Sequence, residues 1–247
     1  LSTFGYLSIG VPGTVAGLWE VHKQFGSLPW SALIEDAINY AENGFYMTDY
    51  MADVLYKYNE KMSYFPETKK IFQKDYPNFR NKKLFQKDLA KTLRVISLNG
   101  RDGFYKGEVA KKITDQMQLN GGLIQSADLE NYNPVWREPI ISSYRNNKII
   151  TMGPPSSGGI HIIQMLNILE NYDLNELGHN STDYINLLTE VMKHAYADRS
   201  KYLGDPDFFD VPIDKIISKK YSDEIFNSVA LGPVSYTHLT LPTKVSV

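Results

Sequence analysis

The sequence of 247 residues contains no cysteine. That absence excludes a disulfide framework, a thiol nucleophile and any metal site built on thiolates. It leaves the compartment open, because an exported protein need not carry disulfides. Long apolar runs are also missing: no stretch of about eighteen apolar residues occurs, so no segment reads as a membrane-spanning helix. An excess of either charge is lacking too, with 26 Lys and Arg against 28 Asp and Glu and a formal net charge of −2. Such a balance gives no reason to expect nucleic acid or an anionic membrane surface as a partner. Leu1 opens the chain without a charged leader or an apolar signal core, so its start carries no information about export. No internal repeat and no low-complexity block is present, which argues against a solenoid.

What is there reads as helix. The 43% apolar and 22% charged residues are ordinary for a globular chain of one large or two small domains. Pro12 marks a helix entrance, and Val15, Leu18, Trp19, His22 and Phe25 share a face ended by Gly26. Pro29 opens a second helix with the stripe Leu33, Ile34, Ala37, Ile38 and Ala41, stopped by Gly44. Thr48 or Asp49 caps a third, running through Met51, Leu55 and Tyr58 towards Phe65. Residues 66–83, rich in Lys, Asn, Pro and Gln, read as an exposed connection. Further helices follow with Leu89, Leu93 and Ile96, then from Gly107 to Leu119, then a short turn capped by Ser126. The period changes at Pro139–Tyr144 and Lys148–Met152, which predict a small β-hairpin across 139–152. Beyond it, Ile160, Ile163, Met165, Leu166 and Leu169 make a helix apolar on more than one face, hence deeply buried. A long helix starts at Ser181 or Thr182 and reaches about Leu203, and Pro212 begins the last helical stretch.

Between the hairpin and the buried helix lies Gly153-Pro-Pro-Ser-Ser-Gly-Gly159. Prolines fix φ and glycines permit close backbone approach, so this is a specified turn feeding a helix N-terminus. Free N–H groups and small hydroxyls at such a turn suit an anion or a carbonyl oxygen, although Ser and Gly also serve as plain caps. Other candidates are weaker. Gly10, Gly13 and Gly17, after a possible strand at Tyr6-Leu-Ser-Ile9, match neither the dinucleotide nor the P-loop spacing. Glu190, His194 and Asp198 share a helical face and include metal-ligand types, yet the same spacing serves helix stability alone. A structural ion pair or hydrogen-bond network is the reading taken for Asp198 and Arg199. Asp205, Asp207 and Asp210 lack the glycine and terminal glutamate of a calcium loop and read as a turn. No Gly-x-Ser-x-Gly elbow accompanies Ser156-Ser157. No cofactor and no metal ligand are assigned.

Four ordered segments carry a resemblance: Gly10-Val-Pro-Gly-Thr-Val-Ala-Gly-Leu18, Gly103-Phe-Tyr-Lys-Gly107, Asn120-Gly-Gly-Leu-Ile124 with Asp128-Leu129, and Pro154-Pro-Ser-Ser-Gly-Gly-Ile-His161. A fifth is Tyr196-Ala-Asp-Arg-Ser-Lys-Tyr-Leu-Gly-Asp-Pro-Asp-Phe208. Together they resemble the large subunit of the γ-glutamyltranspeptidases (γ-glutamyltransferase, glutathione hydrolase) over roughly residues 5–228. The resemblance implies an α+β, mostly helical part of the N-terminal-nucleophile (Ntn) hydrolase αββα fold. It also implies a parent that cleaves itself to expose a threonine nucleophile, whose own α-amine serves as local base. The family's Thr-Thr-His-x-Ser-Val segment and its upstream Asp-x-Arg-Glu segment are both missing here, so the chain reads as a fragment, inactive alone.

By the same resemblance the partners are the small subunit of the same precursor and γ-glutamyl compounds such as glutathione. The location is periplasmic or extracellular, and the substrate cleft has a wall at Ser156, Ser157, Gly158 and Gly159. The alternatives are another Ntn acylase, such as a poly-γ-glutamate depolymerase or cephalosporin acylase, and a non-catalytic helical binding module. Residues 1–230 are taken as the partial large subunit. Val234-Ser-Tyr-Thr-His-Leu-Thr-Leu-Pro-Thr243 resembles a translated sequencing adapter, so 231–247 is expected to be a non-native tail and Thr237-His238 no processing site.

Overall fold

The structure, a computed structural model, describes residues 3–227. The expected tail and Thr237-His238 lie outside the described residues. The chain divides into two compact units, with the boundary between Val135 and Trp136.

In the first unit a 3-10 turn at Tyr6–Ser8 stands where a strand was expected. Gly5, at φ 89°, lets the chain curl until the Ser8 N–H and hydroxyl both donate to the Gly5 carbonyl. Helix α1 (Thr14–Phe25) and α2 (Trp30–Asn43) follow, stopped by Gly26 and Gly44 as expected. Their stripes are only partly covered: Ala16 and Ala41 are buried, while Leu18, Phe25 and Leu33 are exposed. Strand β1 (Phe45–Tyr46) leads to α3 (Asp49–Lys57), whose Thr48 hydroxyl accepts the Met51 N–H at 3.2 Å.

The third helix does not run on to Phe65. It bends at Tyr58 (φ −99°, ψ 10°), restarts as α4 (Asn59–Ser63), and gives way to α5 (Pro66–Phe72). Proline cannot donate within a helix and pushes the residue before it to extended geometry, which Phe65 adopts. The Asn59 carbonyl at the bend is taken by the Gln73 side chain. Residues 66–83 are therefore not a bare exposed connection. They contain α5, and Phe79 is buried with Met47, Leu55 and Leu84. One anchoring aromatic in a polar segment leaves no periodicity to read.

Strand β2 (Lys83–Leu84) pairs antiparallel with β1. Helix α6 (Lys87–Asn99) ends at Gly100, where φ is 57° and a Cβ would press on the Trp19 ring at 2.8 Å. A short α7 (Asp102–Tyr105), α8 (Gly107–Leu119) and α9 (Ser126–Glu130) complete the unit. The cap of α9 is Gln125, one residue before the expected Ser126, in a reciprocal capping box with Asp128. Tyr105, Leu129, Met117 and Ala16 form a second core, in which the Tyr105 hydroxyl donates to the Pro12 carbonyl.

In the second unit, β3 (Ile140–Tyr144) and β4 (Asn147–Thr151) form the expected hairpin, with Ile141 opposite Ile150. The loop is Arg145-Asn146 alone, both at positive φ (43° and 67°), the signature of a twisted two-residue turn. Ile141 and Ile150 are 56% and 61% exposed, so one face of the hairpin stays apolar and uncovered among the described residues. Helix α10 (Gly158–Leu169) is buried on several sides, and α11 (Leu174–Leu177), α12 (Thr182–Tyr202), α13 (Ile213–Ile216) and α14 (Lys219–Phe226) follow it. Ile160, Ile163 and Ile168 of α10 are sealed from solvent, each contributing about 1.5–3 kcal/mol of hydrophobic stabilisation. Ser181 caps α12 and Ser218 caps α14, each accepting an N–H three residues on at 3.1 Å. The described chain is mostly helical α+β with two small antiparallel sheets.

Candidate functional site

The Pro-Pro-Ser-Ser turn joins the end of β4 to the start of α10, through a cis peptide between Pro154 and Pro155. Pro154 is buried, Ser156 and Ser157 are half-buried, and Gly158 is exposed. Gly159 is buried, and a Cβ there would overlap the Met152 carbonyl and approach Thr151 Oγ1 to 2.6 Å. Glycine at 159 thus lets the helix start directly against the strand end. The turn brings Ser156, Ser157 and Gly158 to the surface and keeps Gly159 beneath them as a packing residue.

Helix α10 begins its own ladder when the His161 N–H donates to the Ser157 carbonyl at 3.2 Å. The N–H groups of Gly158, Gly159 and Ile160 therefore have no helical acceptor, and Ser157 makes no side-chain cap. A cavity of about 420 Å³ opens beside this first turn. Pro155 and Ser157 line one side, with Tyr196, Arg199, Ser200 and Leu203 of the α12 end on the other. The helix N-terminus and the Arg199 guanidinium both favour negative charge here.

A buried polar network lies under the turn. Gln164 is fully buried and donates through Nε2 to Asp198 Oδ2 at 2.5 Å. The Tyr221 hydroxyl donates to the other Asp198 oxygen at 3.0 Å. Burial, followed by the Asp198 charge, pushes the Tyr221 hydroxyl well above the usual phenol range. Asp198 thus sits in the hydrogen-bond network anticipated for it. Arg199, by contrast, faces the cavity and lies over the Tyr196 ring at 5.9 Å.

His161 stacks on Tyr196, with ring centroids 6.4 Å apart. It is 8% exposed, and its Nε2 has no hydrogen-bond partner among the described residues. Burial lowers its pKa, so the ring is neutral near pH 7. His194 is lowered for the same first cause. Glu190 pairs with Lys193 at 2.6 Å. Among the described residues no group of three or more His, Asp or Glu has the geometry to hold a metal. Asp205 forms a turn by accepting the Asp207 N–H at 3.0 Å, and Asp207 in turn pairs with Arg137 at 2.8 Å. Gln164 and Tyr221 escaped the sequence reading. The one available signal was a glutamine set between Ile163 and Met165 in a mostly apolar helix.

The solved structures that this chain matches, gamma-glutamyltranspeptidases and a cephalosporin acylase among them, make its mostly helical α+β architecture the large-subunit portion of an Ntn-hydrolase fold. The gamma-glutamyltranspeptidase family model matches residues 1–238, and the chain belongs to that family. It is 41% identical over 247 residues to the glutathione hydrolase proenzyme of Escherichia coli (strain K12), covering 99% of this chain and 43% of that protein. It is also 41% identical over 221 residues to the acylase ACY 1 proenzyme of Pseudomonas sp. (strain SE83), covering 89% of this chain and 40% of that protein. The crystal structure of Helicobacter pylori gamma-glutamyltranspeptidase superposes with a TM-score of 0.92 at 45% identity, covering 96% of this chain and 68% of that one. The chain thus spans less than half the length of these two curated relatives.

Proposed function

We propose that the chain is the large-subunit part of a γ-glutamyl-transferring hydrolase acting on glutathione and related compounds. The observation that carries this reading is the family match across 1–238, together with 41% identity to a glutathione hydrolase proenzyme. In this reading a threonine hydroxyl, supplied by the small subunit of the same precursor, attacks the γ-amide carbonyl. The amine departs, a γ-glutamyl ester forms on the threonine, and water or an acceptor amine then takes the γ-glutamyl group. Oxyanion-hole donors stabilise the tetrahedral intermediate, and in this family they come mainly from the small subunit.

The part played by this chain is scaffold and cleft wall. Ser156, Ser157 and Gly158 form the surface of that wall, and Gly159 holds the turn in place from below. The location is periplasmic or extracellular, and residues 231–247 are a non-native tail. The identity shared with an acylase proenzyme supports a second reading, in which the same scaffold serves an acyl group other than γ-glutamyl.

A chromogenic γ-glutamyl anilide separates these outcomes. The purified chain releases no aniline, whereas co-expression with the upstream and small-subunit segments of its own gene restores turnover. Release by the chain alone overturns the assignment of the nucleophile to the small subunit. A restored complex that hydrolyses only non-glutamyl acyl amides favours the acylase. Sequencing the native gene beyond the codon for Val229 tests the tail directly: a frame continuing into Thr-Thr-His-x-Ser supports the reading, and native read-through of Thr237-His238 to a stop removes it.

A further inference from the structure

A cavity of about 610 Å³ lies in the first unit, whereas the Ser156–Gly159 turn belongs to the second. It opens between α5, the loop that follows it, β2 and the start of α6. Its floor is apolar, from core residues Met47, Phe79 and Leu84, and Phe72 and Phe85 add aromatic wall. Its rim is basic: Lys70, Lys74, Lys82, Lys83 and Lys87 surround it, against Asp75 and Asp88.

Of the two rim carboxylates, Asp88 is committed to an ion pair and Asp75 has none among the described residues. Asp88 is held by Lys91 at 2.9 Å, Lys70 leans to Glu67 at 3.7 Å, and Lys83 sits over the Tyr46 ring. Lys74, Lys82 and Lys87 have no ion-pair partner among the described residues. The volume falls in the range of small-molecule sites, which are typically apolar with a few placed polar groups. Like charges gathered round one opening repel one another, and an incoming anion relieves that repulsion. A bare inorganic anion would leave the aromatic floor unused. A neutral apolar molecule would leave the lysines unpaired.

We propose that this cavity binds an organic anion with an apolar body, of the class of medium-chain carboxylates, with the chain on the Phe72–Phe79–Phe85 floor and the head group among Lys74, Lys82 and Lys87. Lysines, as flexible point charges, set no bidentate geometry, so the site selects charge and apolar length rather than head-group shape.

Titration of the full chain with decanoate, followed calorimetrically below its micelle concentration, tests this. The expected result is saturable binding that weakens several-fold between low and about 0.3 M salt, with decanamide, the neutral isostere, bound about tenfold more weakly. The double variant Lys82→Glu/Lys87→Glu weakens decanoate about tenfold, while Lys148→Glu/Lys220→Glu, on the second unit, leaves it unchanged. Equal binding of decanamide, or equal loss in both variants, overturns the proposal in favour of generic adsorption to exposed apolar surface. Acetylation footprinting of the unmutated chain gives a reading that does not depend on variant folding. Decanoate protects Lys74, Lys82 and Lys87 relative to Lys148 and Lys220, and uniform labelling overturns the proposal.

Discussion

Replacing Gly159 by alanine puts the packing of the candidate turn to a direct test. The added Cβ overlaps the Met152 carbonyl and meets Thr151 Oγ1 at 2.6 Å and Cγ2 at 2.9 Å. A backbone carbonyl at the end of β4 cannot rotate away as a flexible side chain does, so α10 must shift from the strand. Overpacking of this kind costs about 1–3 kcal/mol, and the severity of the overlap places this case at the upper end. Alanine recovers up to about 1 kcal/mol in helix propensity, leaving a net loss of about 2 kcal/mol.

The neighbouring Gly158→Ala is the internal control. There a Cβ finds only Ser156 Oγ at 3.7 Å, ordinary contact, and the glycine φ is not positive. That variant is expected to be neutral or stabilised by up to about 1 kcal/mol through helix propensity and lower unfolded-state entropy. Urea denaturation followed by far-UV circular dichroism compares the two, with unchanged slopes certifying that stability alone has moved. If Gly159→Ala proves as stable as Gly158→Ala, the argument that glycine is required for close strand–helix approach is wrong.

Other expectations follow from the same geometry. Tyr221→Phe removes a charge-assisted hydrogen bond to the buried Asp198 and is expected to cost about 1.5–3 kcal/mol in the same denaturation assay; a cost below about 0.5 kcal/mol would show that the tyrosine hydroxyl is idle. Asn146→Val places a β-branched residue at φ 67° and is expected to destabilise the hairpin unit by about 1–3 kcal/mol, whereas Asn146→Gly is tolerated. His161 and His194 both have folded-state pKa values lowered mainly by burial, so the unfolded chain binds more protons below the ordinary histidine pKa of about 6.5. Stability therefore falls as pH drops below that value, and His161→Gln is expected to flatten the slope; an unchanged slope would mean that His161 titrates normally. Glu170 works on a carboxylate window: its pKa is lowered first by the Lys219 hydrogen bond and then by the Arg145 N–H. The destabilisation of Glu170→Gln is expected at neutral pH and to vanish as pH falls through the depressed folded value, and a pH-independent difference would remove the ion pair from the account.

The amino-acid sequence by itself determined the local events of this protein. Glycines 26, 44 and 100 stop their helices, Ser181 caps the longest one, and the change to period two produces a hairpin where it was expected. Each of these depends on neighbours within four residues, for which φ preferences and short hydrogen bonds suffice. The family was legible too, because its five segments are spaced along the chain rather than assembled by it.

What only the tertiary structure decided is which distant groups meet. Gln164 finds Asp198 from 34 positions away and Tyr221 from another 23 beyond that, and no periodicity announces either contact. Phe79 pins a polar segment into a core and thereby opens the lysine-rimmed cavity. Likewise, the sequence marks Gly159 as part of a turn, and only the fold shows that a Cβ there would overlap the Met152 carbonyl at the end of β4. The physical reason is common to all three. Burial free energy and steric exclusion act between surfaces that the fold brings together, whereas the order of residues along the chain encodes only the surfaces themselves.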